Sequence, residues 1–131
     1  MAFTYTWQVG LEDVDHFGIL FYPRVFVVFQ RGTEALFRDI DANYHDIAQS
    51  SDYNIPVVAA NAEYIKPVQW GDTVKLEITT ELGETSFEFK AVGTVDSDKV
   101  ITMERTHAVI DSRSNSPKQI PHELATVLES V

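Results

Sequence analysis

No cysteine occurs anywhere in the 131 residues, so neither a disulfide framework nor a thiolate metal site is available. Basic residues are scarce, 10 against 20 acidic ones, and the net charge is -10. Such a surface repels phosphate backbones and anionic bilayers, which argues against nucleic-acid and membrane partners. Long apolar runs are missing as well. No stretch approaches the ~20 residues of a membrane-spanning helix. The opening MAFTYTWQVG has neither the basic start nor the apolar centre of a signal peptide. The expected compartment is the cytosol. There is no Gly-rich phosphate loop, no Gly-x-Ser-x-Gly elbow and no His-x-x-x-His pair. Asp13, Asp15 and His16 alone supply too few neighbouring ligands for a metal ion, so no metal and no cofactor is expected.

What is present is an ordinary globular composition, 44% hydrophobic, at a length that suits one domain over residues 1–131. Phe3, Tyr5, Trp7, Val9 and Leu11 alternate with polar residues, a period of two that predicts a strand. The polar stretch from Glu12 to Gly18 reads as a turn or loop. Pro23 suits the first position of a helix, where its missing N–H costs nothing. Phe26, Phe29, Leu36, Phe37 and Ile40 then recur at helical spacing, predicting a helix over Pro23–Ile40. Gly32 in its middle costs roughly 1 kcal/mol against alanine, which is tolerated where another backbone approaches closely, such as a sheet wrapped around the helix. Four strands are expected after Pro56, over Val57–Lys66, Thr73–Glu81, Phe87–Val95 and Val100–Ile110, joined mostly by short turns. A short closing helix is expected within Pro121–Val131. One long helix on an antiparallel sheet is an α+β architecture.

Asp13 and Asp15 stand just ahead of the helix. The first N–H groups of a helix lack intrahelical partners and carry partial positive charge. Aimed at a carbonyl oxygen they stabilise an oxyanion, and a nearby carboxylate can attack that carbonyl or activate water. Asp and Gly also gather at turns for purely local hydrogen-bonding reasons, and pattern alone favours that plainer reading. His107 falls within a strand, where a structural role is expected.

The run Asp13-Val14-Asp15-His16-Phe17-Gly18-Ile19-Leu20-Phe21-Tyr22-Pro23 resembles the signature of the 4-hydroxybenzoyl-CoA thioesterase family. Pro56–Pro67, the Gly71-Asp72 turn, Thr85-Ser86-Phe87 and Ile120-Pro121 extend the likeness over nearly the whole chain, in order. The resemblance implies the hotdog fold, a long central helix wrapped by a curved antiparallel sheet. It implies an acyl-CoA substrate and a homo-oligomer, a dimer paired into a tetramer, with active sites between subunits. Residue by residue, Asp15 matches the catalytic aspartate, as nucleophile or general base. Tyr22 matches the residue whose backbone N–H polarises the thioester carbonyl. Gly18 matches the position that lets the acyl group approach. Asp13 matches a position expected to shape the loop or tune Asp15. Pro23 resembles the aromatic-acyl branch, with Phe17 and Phe21 as candidate pocket residues, whereas Phe26 is expected in the core.

Two departures stand out. Gln30 replaces an acidic residue frequent on the helix. Gly83-Glu84-Thr85 lacks the basic residues that meet the CoA phosphates, which leaves Lys66, Lys90 or Arg105 for that task. The alternatives are a thioesterase for acyl-carrier protein and a non-catalytic module that binds acyl thioesters.

Overall fold

The structure, a computed structural model, describes residues 2–131, the side chains of Tyr44 and Ala48 excepted. Strand β1 (Phe3–Gln8) follows the expected alternation, with Trp7 and Val9 buried. The alternation stops sooner than the pattern suggests. Gly10 turns the chain into a single 3-10 turn (Leu11–Asp13), and Leu11 ends up 75% exposed.

Helix α1 (Arg24–Asp39) starts and stops within one residue of the span its periodicity predicts. Pro23 precedes it as the N-cap, already helical at φ -76° and ψ -13°, rather than as its first residue. The buried stripe is Val25, Val28, Phe29, Gly32, Thr33, Leu36 and Phe37. Through it α1 meets four strands. A side chain at Gly32 would press on Ile78 of β4 (2.8 Å) and the Tyr5 ring of β1 (3.4 Å), so the glycine answers to neighbouring side chains rather than to backbone. Phe37 meets Phe89 of β5 edge-on at 6.0 Å. The Arg105 guanidinium of β6 lies 5.1 Å from the Phe29 ring centre. Burying each of these phenylalanines contributes roughly 1.5–3 kcal/mol.

After α1 come α2 (Tyr44–Ala48), β2 (Tyr53–Asn54), β3 (Val57–Tyr64), β4 (Thr73–Leu82), β5 (Ser86–Val95), β6 (Asp98–Ala108), β7 (Ile110–Asp111) and α3 (His122–Glu129). Five strands form one antiparallel sheet in the order β1-β4-β5-β6-β3, and β2 pairs with β7. Short turns join β4, β5 and β6, as expected. Asp96 and Ser97 both take positive φ (49° and 70°), the backbone that suits a two-residue hairpin. β3 differs from the expected simple succession. It pairs with β6 rather than β4, so residues 65–72 must cross one end of the sheet to begin β4. That crossing supports the candidate site. Among the described residues, no helix is long and apolar enough to cross a membrane.

Gly93 sits where the β5–β6 register shifts, facing the core. A Cβ there would lie 2.6 Å from Ile101 Cγ2, 3.1 Å from Leu76 Cδ2 and 3.2 Å from Val74 Cγ1. Gly93→Ala is expected to lower unfolding free energy by about 1–3 kcal/mol, read from urea midpoints at unchanged slope. An unchanged midpoint would show that the strands yield without cost.

Candidate active site

Residues 13–21 form a small hairpin. Phe21 N–H donates to the Asp13 carbonyl (2.8 Å), Asp15 N–H to Ile19 (2.9 Å), and Gly18 N–H closes the turn onto Asp15 (3.0 Å). Gly18 adopts φ +77°, which an L side chain rarely takes, so the turn itself requires glycine. A Cβ at Gly18 would meet nothing within 4 Å, so its surroundings stay open on that side. The crossing segment braces the hairpin. Leu20 N–H donates to Val68 (2.8 Å) and Trp70 N–H to Gly18 (3.0 Å). The loop is thereby hydrogen-bonded along both edges.

The two aspartates, two positions apart, have opposite surroundings. Asp13 is 2% exposed. Its Oδ1 accepts from Arg24 Nε (2.7 Å), and its Oδ2 from the Trp7 indole (3.2 Å) and Gly10 N–H (2.9 Å). Burial pushes the Asp13 carboxyl up. The Arg24, Gly10 and Trp7 hydrogen bonds and the Arg24 charge outweigh that, and hold it below the ordinary carboxylate value. Asp15 is exposed. Its Oδ1 accepts from Phe17 N–H (2.9 Å) and Ile19 N–H (3.3 Å), which orients the carboxylate across the turn. Among the described residues, no group donates to its Oδ2.

Tyr22 occupies the turn that leads into α1. Arg24 N–H donates to the Phe21 carbonyl (2.9 Å). The Phe21–Tyr22 peptide is trans, so the Tyr22 N–H points opposite to that carbonyl, away from the first helical turn. Among the described residues, nothing accepts from it. The Tyr22 carbonyl, for its part, accepts from the Tyr64 hydroxyl on β3. A fixed carboxylate and a fixed, unused N–H therefore lie on one hairpin and its exit into the helix. That pair is what acyl transfer at a carbonyl needs.

Around them lies an open apolar surface. Phe17, Phe21 and Tyr22 are 75%, 51% and 68% exposed. Trp70, which the sequence reading passed over, is exposed beside Gly18. Pro23 is half-buried, and Phe26 packs against the core as expected. A cavity of about 670 Å³ lies elsewhere, by α2, lined by Gln30, Glu34, Phe37, Arg38, Asn43 and His45 among others.

Arg105 does not serve as a phosphate contact, contrary to the sequence expectation. It is buried, donating to His107 Nε2 (2.9 Å), Gln30 Oε1 (2.9 Å) and Thr33 Oγ1 (3.2 Å). Alternation already implied this, since Ile101, Met103, Arg105 and His107 share one buried face of β6. Gln30, the departure noted on the helix, supplies one of these three acceptors. Lys90 is engaged by Glu81 (3.1 Å), and Lys66 is an exposed cation 3.4 Å from Asp98.

Residues 9–128 match the Thioesterase-like superfamily. The chain belongs to that superfamily. A 1,4-dihydroxy-2-naphthoyl-CoA hydrolase of Nostoc punctiforme is 26% identical over 131 residues, covering 99% of this chain and 88% of its own. A 1,4-dihydroxy-2-naphthoyl-CoA thioesterase from Synechocystis superposes with TM-score 0.89 at 18% identity, over 100% of this chain and 98% of its own. A gentisyl-coenzyme A thioesterase superposes with TM-score 0.80 at 16% identity, over 96% and 99%. At such identities the superpositions establish a shared fold, that of the hotdog thioesterases with their curved five-stranded antiparallel sheet. The Thioesterase-like match spans the Asp15 hairpin, α1 and strands β2 to β7, and begins just after β1.

Proposed function

We propose that the protein hydrolyses an aromatic acyl-CoA thioester to free acid and CoA, working as one hotdog domain over residues 1–131. The observation that carries this reading is the Tyr22 N–H, fixed by its peptide plane and without an acceptor among the described residues, next to the hairpin that presents Asp15. The thioester oxygen takes that N–H. Asp15 either attacks the carbonyl carbon or takes a proton from a water that does. Both routes pass through an oxyanion held by Tyr22, and both expel CoA as its thiolate; where Asp15 attacks, water then opens the resulting anhydride, releasing the acid and restoring the carboxylate. A thiol ionises near pH 8.5, so the leaving group departs without a general acid. Gly18 leaves room on its side of the turn. Phe17, Phe21 and Pro23 contact the acyl group, and a flat ring is the shape such side chains hold best.

The aromatic assignment draws support from the relatives named above, which act on dihydroxynaphthoyl-CoA or gentisyl-CoA by name. It is tested by kcat/KM over benzoyl-, hydroxybenzoyl-, hydroxynaphthoyl-, short-chain and long-chain acyl-CoA, with carrier-protein thioesters alongside. Aromatic CoA esters should lead. Preference for a linear chain overturns the acyl assignment, and preference for the carrier overturns the CoA assignment.

The exposed apolar surface at Phe17 and Phe21 needs another wall to enclose an acyl ring. A second copy of the chain is the proposed source, in a dimer of dimers. β3 supports this, because it is a long edge strand with Val57, Val58 and Tyr64 exposed, and such edges are ordinarily covered. Sedimentation equilibrium should return a tetramer mass. A monomer at micromolar concentration contradicts the proposed assembly.

A further inference from the structure

We propose that Asp13 is a positioning residue for the reaction, a staple that sets the carboxylate and the oxyanion donor relative to each other. It rests on the thioesterase reading above and adds a residue to it. Asp13 touches neither candidate group, yet it holds the chain on both sides of each. Its main-chain carbonyl takes the Phe21 N–H, and its side chain takes Arg24. Phe21 and Arg24 are the two residues whose own hydrogen bond orients the Tyr22 peptide. The same carboxylate anchors the hairpin's other arm to β1 through Trp7 and to the turn through Gly10. Asp15 follows two residues later on that arm, facing solvent instead of the core.

The alternative is that Asp13 only stabilises the fold. The two roles differ in what they move. A purely stabilising residue changes the folded fraction and leaves the properties of each folded molecule alone. A staple changes kcat per folded molecule, because small displacements of reacting groups are costly to rate, about a hundredfold for an ångström. It moves KM less, since the Asp13 carboxylate is held by Trp7, Gly10 and Arg24 and has no hydrogen bond to the Phe17 or Phe21 that meets the acyl group.

The test uses the full chain as Asp13→Asn, Asp13→Glu, Arg24→Lys and Trp7→Phe, assayed well below each melting temperature with the folded fraction measured by circular dichroism. Asp13→Asn keeps the shape but removes the charge, and Trp7→Phe is the variant that keeps the question open if Asp13→Asn does not fold. Expected is a fall in kcat of about 10- to 100-fold for Asp13→Asn, smaller for Trp7→Phe, with KM within about threefold. Arg24→Lys, which keeps the ion pair but not the planar fork, should fall between. Wild-type kcat per folded molecule in Asp13→Asn and Trp7→Phe overturns the staple. A second readout does not depend on turnover. In ¹⁵N spectra the Tyr22, Phe21 and Gly18 amides should shift or broaden in these variants while amides of β4 and β5 stay in place. If the wild type hydrolyses no thioester, the thioesterase reading fails, and the amide spectra alone then decide whether Asp13 sets this geometry. Undisturbed amides count against it.

Discussion

Asp15→Asn is expected to lower kcat about a thousandfold with the fold intact. The asparagine side chain keeps an oxygen where Asp15 Oδ1 accepts from the Phe17 and Ile19 N–H groups, so the turn that presents it should survive. What disappears is the anionic oxygen that either route requires. An amide is a poor nucleophile toward a thioester and a far weaker base than a carboxylate. The Tyr22 N–H is untouched, so residual turnover should reflect carbonyl polarisation and binding alone. Unchanged melting temperature alongside the lost rate would locate the defect in chemistry. A variant within about tenfold of wild type would remove Asp15 from the mechanism, because positioned acid–base groups contribute at least a hundredfold.

The second large effect is on stability against pH. His107 is buried between Phe87, stacked at 4.9 Å, and Phe89. Its Nε2 accepts from Arg105, so Nδ1 carries the proton and donates to the Ile55 carbonyl (2.8 Å). Burial, reinforced by the Arg105 charge and opposed by the Ile55 hydrogen bond, pulls its pKa down from 6.5 to about 4. The unfolded chain therefore takes up this proton near pH 6.5 and the native state only near pH 4. Stability tied to His107 is complete above pH 6.5 and drains as pH falls toward 4. At about 1.4 kcal/mol per pH unit, the loss approaches about 3 kcal/mol. His107→Gln offers an acceptor to Arg105 but does not titrate. The difference in unfolding free energy between the two proteins should therefore close by that amount across the window. A constant difference would mean that His107 is not held neutral. Asp13 acts lower on the scale. With its folded pKa depressed, its contribution is complete above the ordinary carboxylate value and drains as pH falls from there to the lower folded value.

Helix α1 was legible because Phe29, Leu36 and Phe37 repeat at 3.6 residues, and a single stretch of chain determines that period. The β4–β5–β6 meander was legible because Gly83-Glu84-Thr85 and Asp96-Ser97 are local turn signals. The place of β3 beside β6 was not legible, because strand order is decided by which edge is free after the sheet assembles, and no local residue encodes that. Asp13 and Asp15 could not be told apart in sequence. Their difference is made by Trp7 and Arg24, which approach from six and eleven residues away. The burial of Arg105 was legible in the alternation of β6, whose period sets it on the same face as Met103 and His107. The Asp15-to-Tyr22 segment was recognisable only by family resemblance. Trp70 carried no signal of its own and joins the site because the crossing segment pairs with Gly18.

The most direct measurement is release of free CoA thiol from hydroxybenzoyl-CoA and dihydroxynaphthoyl-CoA by the wild-type chain, with the free acid quantified in parallel. Multiple turnovers yielding acid and thiol in equal amounts are expected. No turnover of any aromatic, aliphatic or carrier-bound thioester by folded protein would contradict hydrolysis at Asp15 and leave a hotdog module that binds acyl thioesters.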